Sequence, residues 1–328
     1  MSLDWSPLVE LFRRSQRPLL TTHVRPDADG LGSQLALADA LRGMGKAPRV
    51  VIASKLPPRY DFLDPGRTVI ENFQPPGDAF RSADAVVVMD TGTWGQLGEF
   101  GAFLKSYSGP KAVVDHHRTQ DDLGGLAFVD TSAEATGRLT YEIIRALGVP
   151  LSPAAAKYLF AALATDTGWF RHPNTTPATF ALAEELMRHG ATPTPLYEAL
   201  YETAPVARLK LHGVALSRLA TRANGRIAYT EIYLTDYPQT GAVPGDTEDL
   251  INYPRSVQGV EVALLFIEQA DGGTKVSFRA RTVDVSKVAE SFQGGGHKLA
   301  AGARLPDALT ESREKVIGAV EAAMAHVC

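Results

Sequence analysis

Three short apolar runs in the first half of the chain each stop at an acidic turn, and this narrows the fold more than any other feature. Pro18 to Thr22 leads into His23-Val24-Arg25-Pro26-Asp27-Ala28-Asp29-Gly30, Ala85 to Met89 into Asp90-Thr91-Gly92, and Ala112 to Val114 into Asp115-His116-His117. Continuously apolar runs of this length suit strands buried on both faces, as in a mainly parallel sheet; Arg49 to Ala53 reads as a fourth. Leu35, Leu37, Ala38, Leu41 and Met44 stand at near-helical spacing within Ser33 to Met44, and Gly45 stops the run. Such alternation predicts an α/β fold, with an N-terminal doubly wound, mainly parallel sheet. Ligands of open α/β sheets bind beyond the carboxyl ends of the strands, so the three acidic turns are expected to converge on one crevice.

From about Ala133 to Arg188 the pattern is helical. Leu139, Ile143, Ile144 and Leu147 form one stripe, and Pro153 after Ser152 opens a run that reaches Ala164, just before Asp166. Residues 190–212 read as a turn and a connecting helix, giving a first domain over 1–189 and a second over 213–328. In the second, Arg226 to Leu234, Val260 to Glu268 and Thr274 to Ala280 read as strands, with helices at Asp284 to Phe292 and Thr310 to His326. That composes a smaller C-terminal α+β domain.

Gathered carboxylates repel one another unless cations lie between them. His23, Asp27, Asp29, Asp90, His116 and Asp166 supply imidazoles and carboxylates without thiolate, a set suited to Mn²⁺, Mg²⁺, Fe²⁺ or Co²⁺ rather than structural zinc. Six ligands exceed what one open catalytic ion needs; they suit two ions about 3.5–4 Å apart, sharing a carboxylate and a water that attacks phosphorus. Taken singly, each acid has an ordinary explanation as a helix cap or turn residue. Their coincidence at strand ends favours metal.

Composition limits the partners. Lys+Arg total 33 against Asp+Glu 37, a net charge of −4, and both parts of the chain are slightly acidic. No basic stripe is present to follow a long polyanion, so duplex nucleic acid is not expected. Two divalent ions would instead create a local anion site suited to small anionic substrates. The one cysteine, Cys328, is the last residue, so neither an intramolecular disulfide nor a thiolate cluster can form, which fits a reducing compartment. Met1 to Pro7 lacks a signal-peptide pattern, and the apolar runs at Ala85 to Met89 and Val262 to Ile267 are too short to span a bilayer. A cytoplasmic protein without membrane contact is expected.

At these residues the sequence resembles the DHH phosphoesterase superfamily, whose naming triplet stands here as Asp115-His116-His117. The other motifs are His23 to Asp29 with Gly32-Ser33, Asp90-Thr91-Gly92, and Thr165-Asp166-Thr167-Gly168; Gly294-Gly295-Gly296-His297 and Lys298 to Gly302 look like the associated DHHA1 domain. The resemblance implies that His23, Asp27 and Asp90 hold one ion and Asp29, Asp90, His116 and Asp166 the other, with Asp90 bridging and manganese the usual metal. It implies His117 at the scissile phosphate as stabiliser or proton donor, and Asp115 orienting the histidine imidazole so that the correct nitrogen faces the metal. Arg279 in Ser277-Phe278-Arg279 is then the substrate clamp, with Gly294, Gly295, Gly296 and His297 receiving an anion or base. Ala280 stands where the family usually has serine. Arg255 is a weaker second clamp, Arg171, His172 and Asn174 are candidate lining residues, and His189, His212 and His326 are read as surface residues.

One DHH domain with one DHHA1 domain resembles the nano-RNase (oligoribonuclease) and pAp phosphatase group. The expected substrates are short single-stranded RNA, cleaved to mononucleotides, and pAp, dephosphorylated to AMP. A phosphodiesterase acting on pApA or cyclic-di-AMP is one alternative; a non-catalytic nucleotide- or RNA-binding module is another. A homodimer is left open.

Overall fold

The computed structural model describes residues 3–325, so His326 and Cys328 lie outside the described residues. The chain forms two compact units that divide between Thr203 and Ala204.

The first unit begins with α1 (Ser6–Arg14), β1 (Pro18–Thr21), α2 (Ala28–Gly43), β2 (Arg49–Ile52) and β3 (Ile70–Asn72). It continues with β4 (Ala85–Met89), α3 (Phe100–Ser106), β5 (Lys111–Asp115) and β6 (Leu126–Val129). Four helices close it: α4 (Thr136–Leu147), α5 (Pro153–Asp166), α6 (Pro177–Arg188) and α7 (Pro193–Tyr201). All six strands are parallel, in the order β3-β2-β1-β4-β5-β6. The order of winding reverses between β1 and β4, so a crevice opens beyond their carboxyl ends.

Both faces of the sheet are covered. Leu20, Val50, Val87 and Val114 pack beneath α1, α2, α4 and α5. Leu19, Val51, Val86, Val88 and Val113 pack with Phe73, Phe80, Phe100 and Phe103 on the other side. Alternate side chains thus enter different cores, which is why the strands read as continuous apolar runs. β3 carries no such signal: at the edge of the sheet, Ile-Glu-Asn is only partly buried. β6, the other edge strand, is an apolar run of the same kind, Leu-Ala-Phe-Val, although Leu126 is exposed.

α2 starts at Ala28, earlier than the apolar spacing from Ser33 suggests. The Asp27 carboxylate accepts hydrogen bonds from the backbone N–H groups of Asp29 and Gly30, so it caps the helix and draws the motif residues into the first turn. Gly32 permits close packing of α2 on α5, since a Cβ there would lie 2.4 Å from the Tyr158 carbonyl oxygen.

The second unit comprises α8 (Val206–Ser217), β7 (Ala220–Arg222), β8 (Ile227–Ile232), α9 (Asp236–Thr240) and α10 (Asn252–Ser256). Then follow β9 (Val262–Glu268), β10 (Thr274–Ala280), α11 (Val285–Ser291), β11 (Gly295–His297), β12 (Ala300–Leu305) and α12 (Leu309–Ala325). The sheet order is β11-β12-β10-β9-β8-β7, with β8 and β9 parallel and the remaining pairs antiparallel. α11 and α12 cover one face, and α8 with the segment around Leu250 covers part of the other.

The segment 190–212, read as a turn and one helix, holds α7 and the first half of α8. His212, expected at the surface, is buried. It stands beside Leu211 on the inward side of α8, its Nε2 lies 2.9 Å from the Asp246 carbonyl oxygen, and Tyr253 meets its ring edge-on. His189 is partly exposed at the end of α6. No helix of the described residues is long and apolar enough to cross a membrane.

Candidate metal centre

The three strand-end turns and the end of α5 come together beyond the β1–β4 switch point. His23 follows β1, Asp90 follows β4, Asp115 ends β5, and Asp166 is the last residue of α5. Asp90 sits in the left-handed region at φ 63, an unfavourable conformation for a residue with a Cβ. Its N–H donates to the Val114 carbonyl, and its Oδ1 accepts from the Thr136 hydroxyl at 2.9 Å. Gly30 keeps the approach open: a Cβ there would lie 2.3 Å from the Thr22 hydroxyl oxygen and 3.2 Å from the Asp90 carboxylate.

Two ligand constellations share Asp90. In the first, His23 Nε2 lies 3.5 Å from Asp90 Oδ2 and 3.8 Å from Asp27 Oδ1. In the second, His116 Nε2 lies 3.6 Å from Asp90 Oδ1, 3.7 Å from Asp29 Oδ2 and 3.6 Å from Asp166 Oδ2. These separations are too long for good hydrogen bonds. They are close to the mutual spacing of ligands around an ion bound at about 2.1 Å. His116 Nε2 is buried with no hydrogen-bond partner, and an orphaned nitrogen ringed by carboxylate oxygens is well explained by a cation.

The imidazoles are aimed from behind. His23 Nδ1 lies 3.0 Å from the Val24 carbonyl oxygen and His116 Nδ1 lies 3.1 Å from that of Ala133. With Nδ1–H donating to these carbonyls, both Nε2 lone pairs face the carboxylates. Asp29 accepts from the N–H groups of Thr136 and Gly137 at 2.7 and 2.8 Å, at the first turn of α4. Asp115 is fully buried and outside both constellations. Its Oδ1 accepts from the N–H groups of His116 and His117 and lies 2.8 Å from His117 Nδ1, while its Oδ2 accepts from the Gln120 amide at 2.6 Å. The imidazole that Asp115 orients is therefore that of His117; His116 is oriented by a backbone carbonyl.

The electrostatics show how crowded the ion-free cluster is. Burial and the neighbouring carboxylates raise the pKa of Asp29 well above its usual value. Burial chiefly, with Asp27, also raises Asp90, despite the opposing histidines. Burial raises Asp166 to about 6, helped by Asp90 and Asp27 against the pull of His116 and His117. At His23 burial disfavours the charged ring, but Asp27 and Asp90 prevail and raise it to about 10.

Some supporting residues carry no motif signal. Thr136 and Gly137 donate at the start of α4, the Ala133 carbonyl holds His116, and Asn174 donates to the carbonyls of Glu134 and Asp166. Asn174, a candidate lining residue, is thus a brace for the Asp166 turn. Arg171 donates its Nε–H to the Gly168 carbonyl, and the exposed His172 ring packs over Gly168. Residues 168–170 are all left-handed.

In the second unit, Arg279 lies on the outward side of β10, opposite the buried Val276, Phe278 and Ala280. Burial and then the charge of nearby Arg255, which projects from α10, lower its pKa. Of the Gly294 to His297 segment, Gly295 to His297 form the edge strand β11. Gly295 to His297 pair with β12, and a Cβ at Gly294 would lie 2.2 Å from the Gly302 carbonyl oxygen. Gly296 (φ 144) has the same constraint from Ala300, whereas Gly295 faces open space. His297 is exposed.

Residues 18–163 match the model of the DHH family, N-terminal domain, and residues 224–326 match the DHHA1 domain. A bifunctional oligoribonuclease and PAP phosphatase, NrnA, of Thermus thermophilus is 30% identical over 316 residues, covering 95% of this chain and 92% of that protein. The protein of the same name from Bacillus subtilis is 29% identical over 291 residues, 88% of each. Among solved structures, an exopolyphosphatase-related protein from Bacteroides fragilis superposes with a TM-score of 0.88 at 22% identity, covering 98% of this chain and 95% of that one.

Proposed function

Because the chain belongs to the DHH family and carries a DHHA1 domain, we propose that this phosphoester hydrolase releases mononucleotides from short single-stranded RNA and converts pAp to AMP. The observation that carries the reading is the undamaged ligand set. All six candidate ligands stand within the two constellations, and the buried His116 Nε2 has no hydrogen-bond partner. Similarity to NrnA proteins along almost the whole chain supports the substrate class.

The residues fit two divalent cations: the oxygen- and imidazole-rich donors suit Mn²⁺, Mg²⁺ or Co²⁺ alike, and the family resemblance favours Mn²⁺. His23 and Asp27 would hold one, Asp29, His116 and Asp166 the other, and Asp90 both. Such a pair, when bound, supplies an activated water and neutralises charge on the phosphoryl oxygens. Thr136 and the start of α4 hold Asp90 and Asp29 in place, so the protein reorganises little when charge develops. Asp115 keeps the His117 proton on Nδ1, which leaves Nε2 as the atom that meets the scissile phosphate. Arg279, with Arg255, is assigned to a substrate phosphate, since guanidinium groups bind phosphate with paired, charge-assisted hydrogen bonds. Gly294, Gly295, Gly296 and His297 are assigned to the same task at an exposed sheet edge.

A product assay with Mn²⁺ over a five-nucleotide RNA, pApA, pAp, cyclic-di-AMP and pyrophosphate tests this. Mononucleotides from the RNA and pApA, with AMP from pAp, are expected. Turnover confined to cyclic-di-AMP would replace the substrate assignment, and no product from any compound would sink the hydrolase reading.

A further inference from the structure

We propose that Gln120 is a positioning residue for His117, and that Gly92 is glycine because the Gln120 amide occupies the space a side chain would take. The proposal rests on the hydrolase reading above, in which His117 meets the phosphate. Asp115 has two oxygens with different duties. Oδ1 faces His117 Nδ1 and the backbone N–H groups, while Oδ2 accepts the Gln120 amide at 2.6 Å. The same amide nitrogen reaches the His117 carbonyl at 3.0 Å. Gln120 therefore holds both ends of the unit it serves, the carboxylate that aims the ring and the backbone that carries it.

The residue also joins two strand-end turns. Gly92 and Gln120 form an isolated parallel bridge, the Asp121 N–H donates to the Gly92 carbonyl at 2.7 Å, and the Asp121 carboxylate accepts from the Trp94 N–H at 2.8 Å. A Cβ built on Gly92 would lie 1.7 Å from Gln120 Oε1 and 2.4 Å from its Cδ. Gly92 is not in the left-handed region, so its backbone does not demand glycine; the neighbouring amide does. Because that amide ends a flexible side chain, alanine at 92 is accommodated by pushing it aside. The cost then falls on Asp115 and His117 rather than on the fold.

This gives a test with two independent routes to one defect. Gln120→Met keeps the volume but removes the amide; Gly92→Ala keeps the amide but displaces it. Each is expected to lower kcat on a short RNA by about 10–100-fold, as supporting hydrogen bonds commonly do. KM and Mn²⁺ affinity measured by calorimetry should each stay within about threefold. The double variant should be no slower than the slower single, since both break one contact. In the ion-free protein, the Nδ1–H proton of His117 should exchange with water faster in both variants, as seen by NMR. Wild-type turnover with an unchanged kcat in Gln120→Met overturns the proposal, as do additive losses in the double variant. An equal loss of Mn²⁺ affinity also overturns it, because Gln120 would then serve the metal cradle. A wild type without turnover defeats the hydrolase reading instead, and the proton exchange still decides whether Gln120 and Gly92 hold the ring.

Discussion

In the first unit the candidate side chains are fixed from several directions, whereas in the second they lie on a surface with few partners. Asp29 and Asp90 are buried and held by Thr136 and the start of α4, and each metal-facing imidazole has its Nδ1 on a backbone carbonyl. Arg279 donates only to its neighbour's carbonyl at Phe278 in the described structure, and Arg255 repels it. On the function proposed above, the difference fits a division of labour. Groups that position reacting atoms lose activity when displaced by about 1 Å, so they are built rigidly. A cation that meets a substrate phosphate can stay adaptable.

The largest test of this division is Asp90→Ala. Asp90 is the one residue common to both ligand constellations, so its loss should disable both ions. A fall in kcat of about 10³-fold or more is expected, about 4 kcal/mol of barrier, and calorimetry should show weakened Mn²⁺ binding. Retention of even a tenth of the activity would mean that the acids are structural. Arg279→Ala should act on the other side of the comparison. Losing a charge-assisted contact should raise KM about 10–100-fold while kcat stays within about twofold. A loss confined to kcat would place Arg279 at the reacting centre and erase the contrast.

The two regions should also respond differently to pH. Asp166, raised to about 6 in the ion-free cluster, stabilises the fold relative to the unfolded chain below pH about 4, and that contribution is lost as pH rises through 6. His23 behaves in the same sense, its contribution being lost as pH rises through about 10. Protons therefore hold the cluster together at low pH and compete with metal for it. Adding saturating Mn²⁺ to stripped protein should raise Tm by about 5–10 °C at pH 8 and by less than half of that at pH 5.5. Equal shifts at both values would show that the ions bind elsewhere.

How much of this was legible in the sequence follows the same divide. The ligands could be read because each stands at the end of an apolar run, and β1, β4 and β5 are buried on both faces. Their supports could not: Thr136, the Ala133 carbonyl and Gln120 act through backbone or amide groups that any turn might contain. The edge strands β3 and β11 carry little apolar signal, reading Ile-Glu-Asn and Gly-Gly-His, whereas β6 is as apolar as the central strands and shows that the pattern alone does not tell edge from centre. His212 reads as a surface residue because a lone histidine carries no burial signal of its own, and only the packing of α8 turns its ring inward against Asp246 and Tyr253.

The smallest expected effect is the sharpest test of the second unit. Gly294, Gly295 and Gly296 look alike in sequence, but only the first and last are pressed against the neighbouring strand. Gly294→Ala would force its Cβ against the Gly302 carbonyl oxygen and the Ala303 side chain, so a loss of about 1–3 kcal/mol in denaturant unfolding is expected. Gly295→Ala adds a methyl group to open space at an ordinary backbone angle and should change stability by no more than about 0.5 kcal/mol. A stable Gly295→Ala protein with a KM raised severalfold would mean that substrate lies against this edge. An unchanged KM would leave the glycines explained by the hairpin alone, and substrate recognition in the second unit would rest on the arginines.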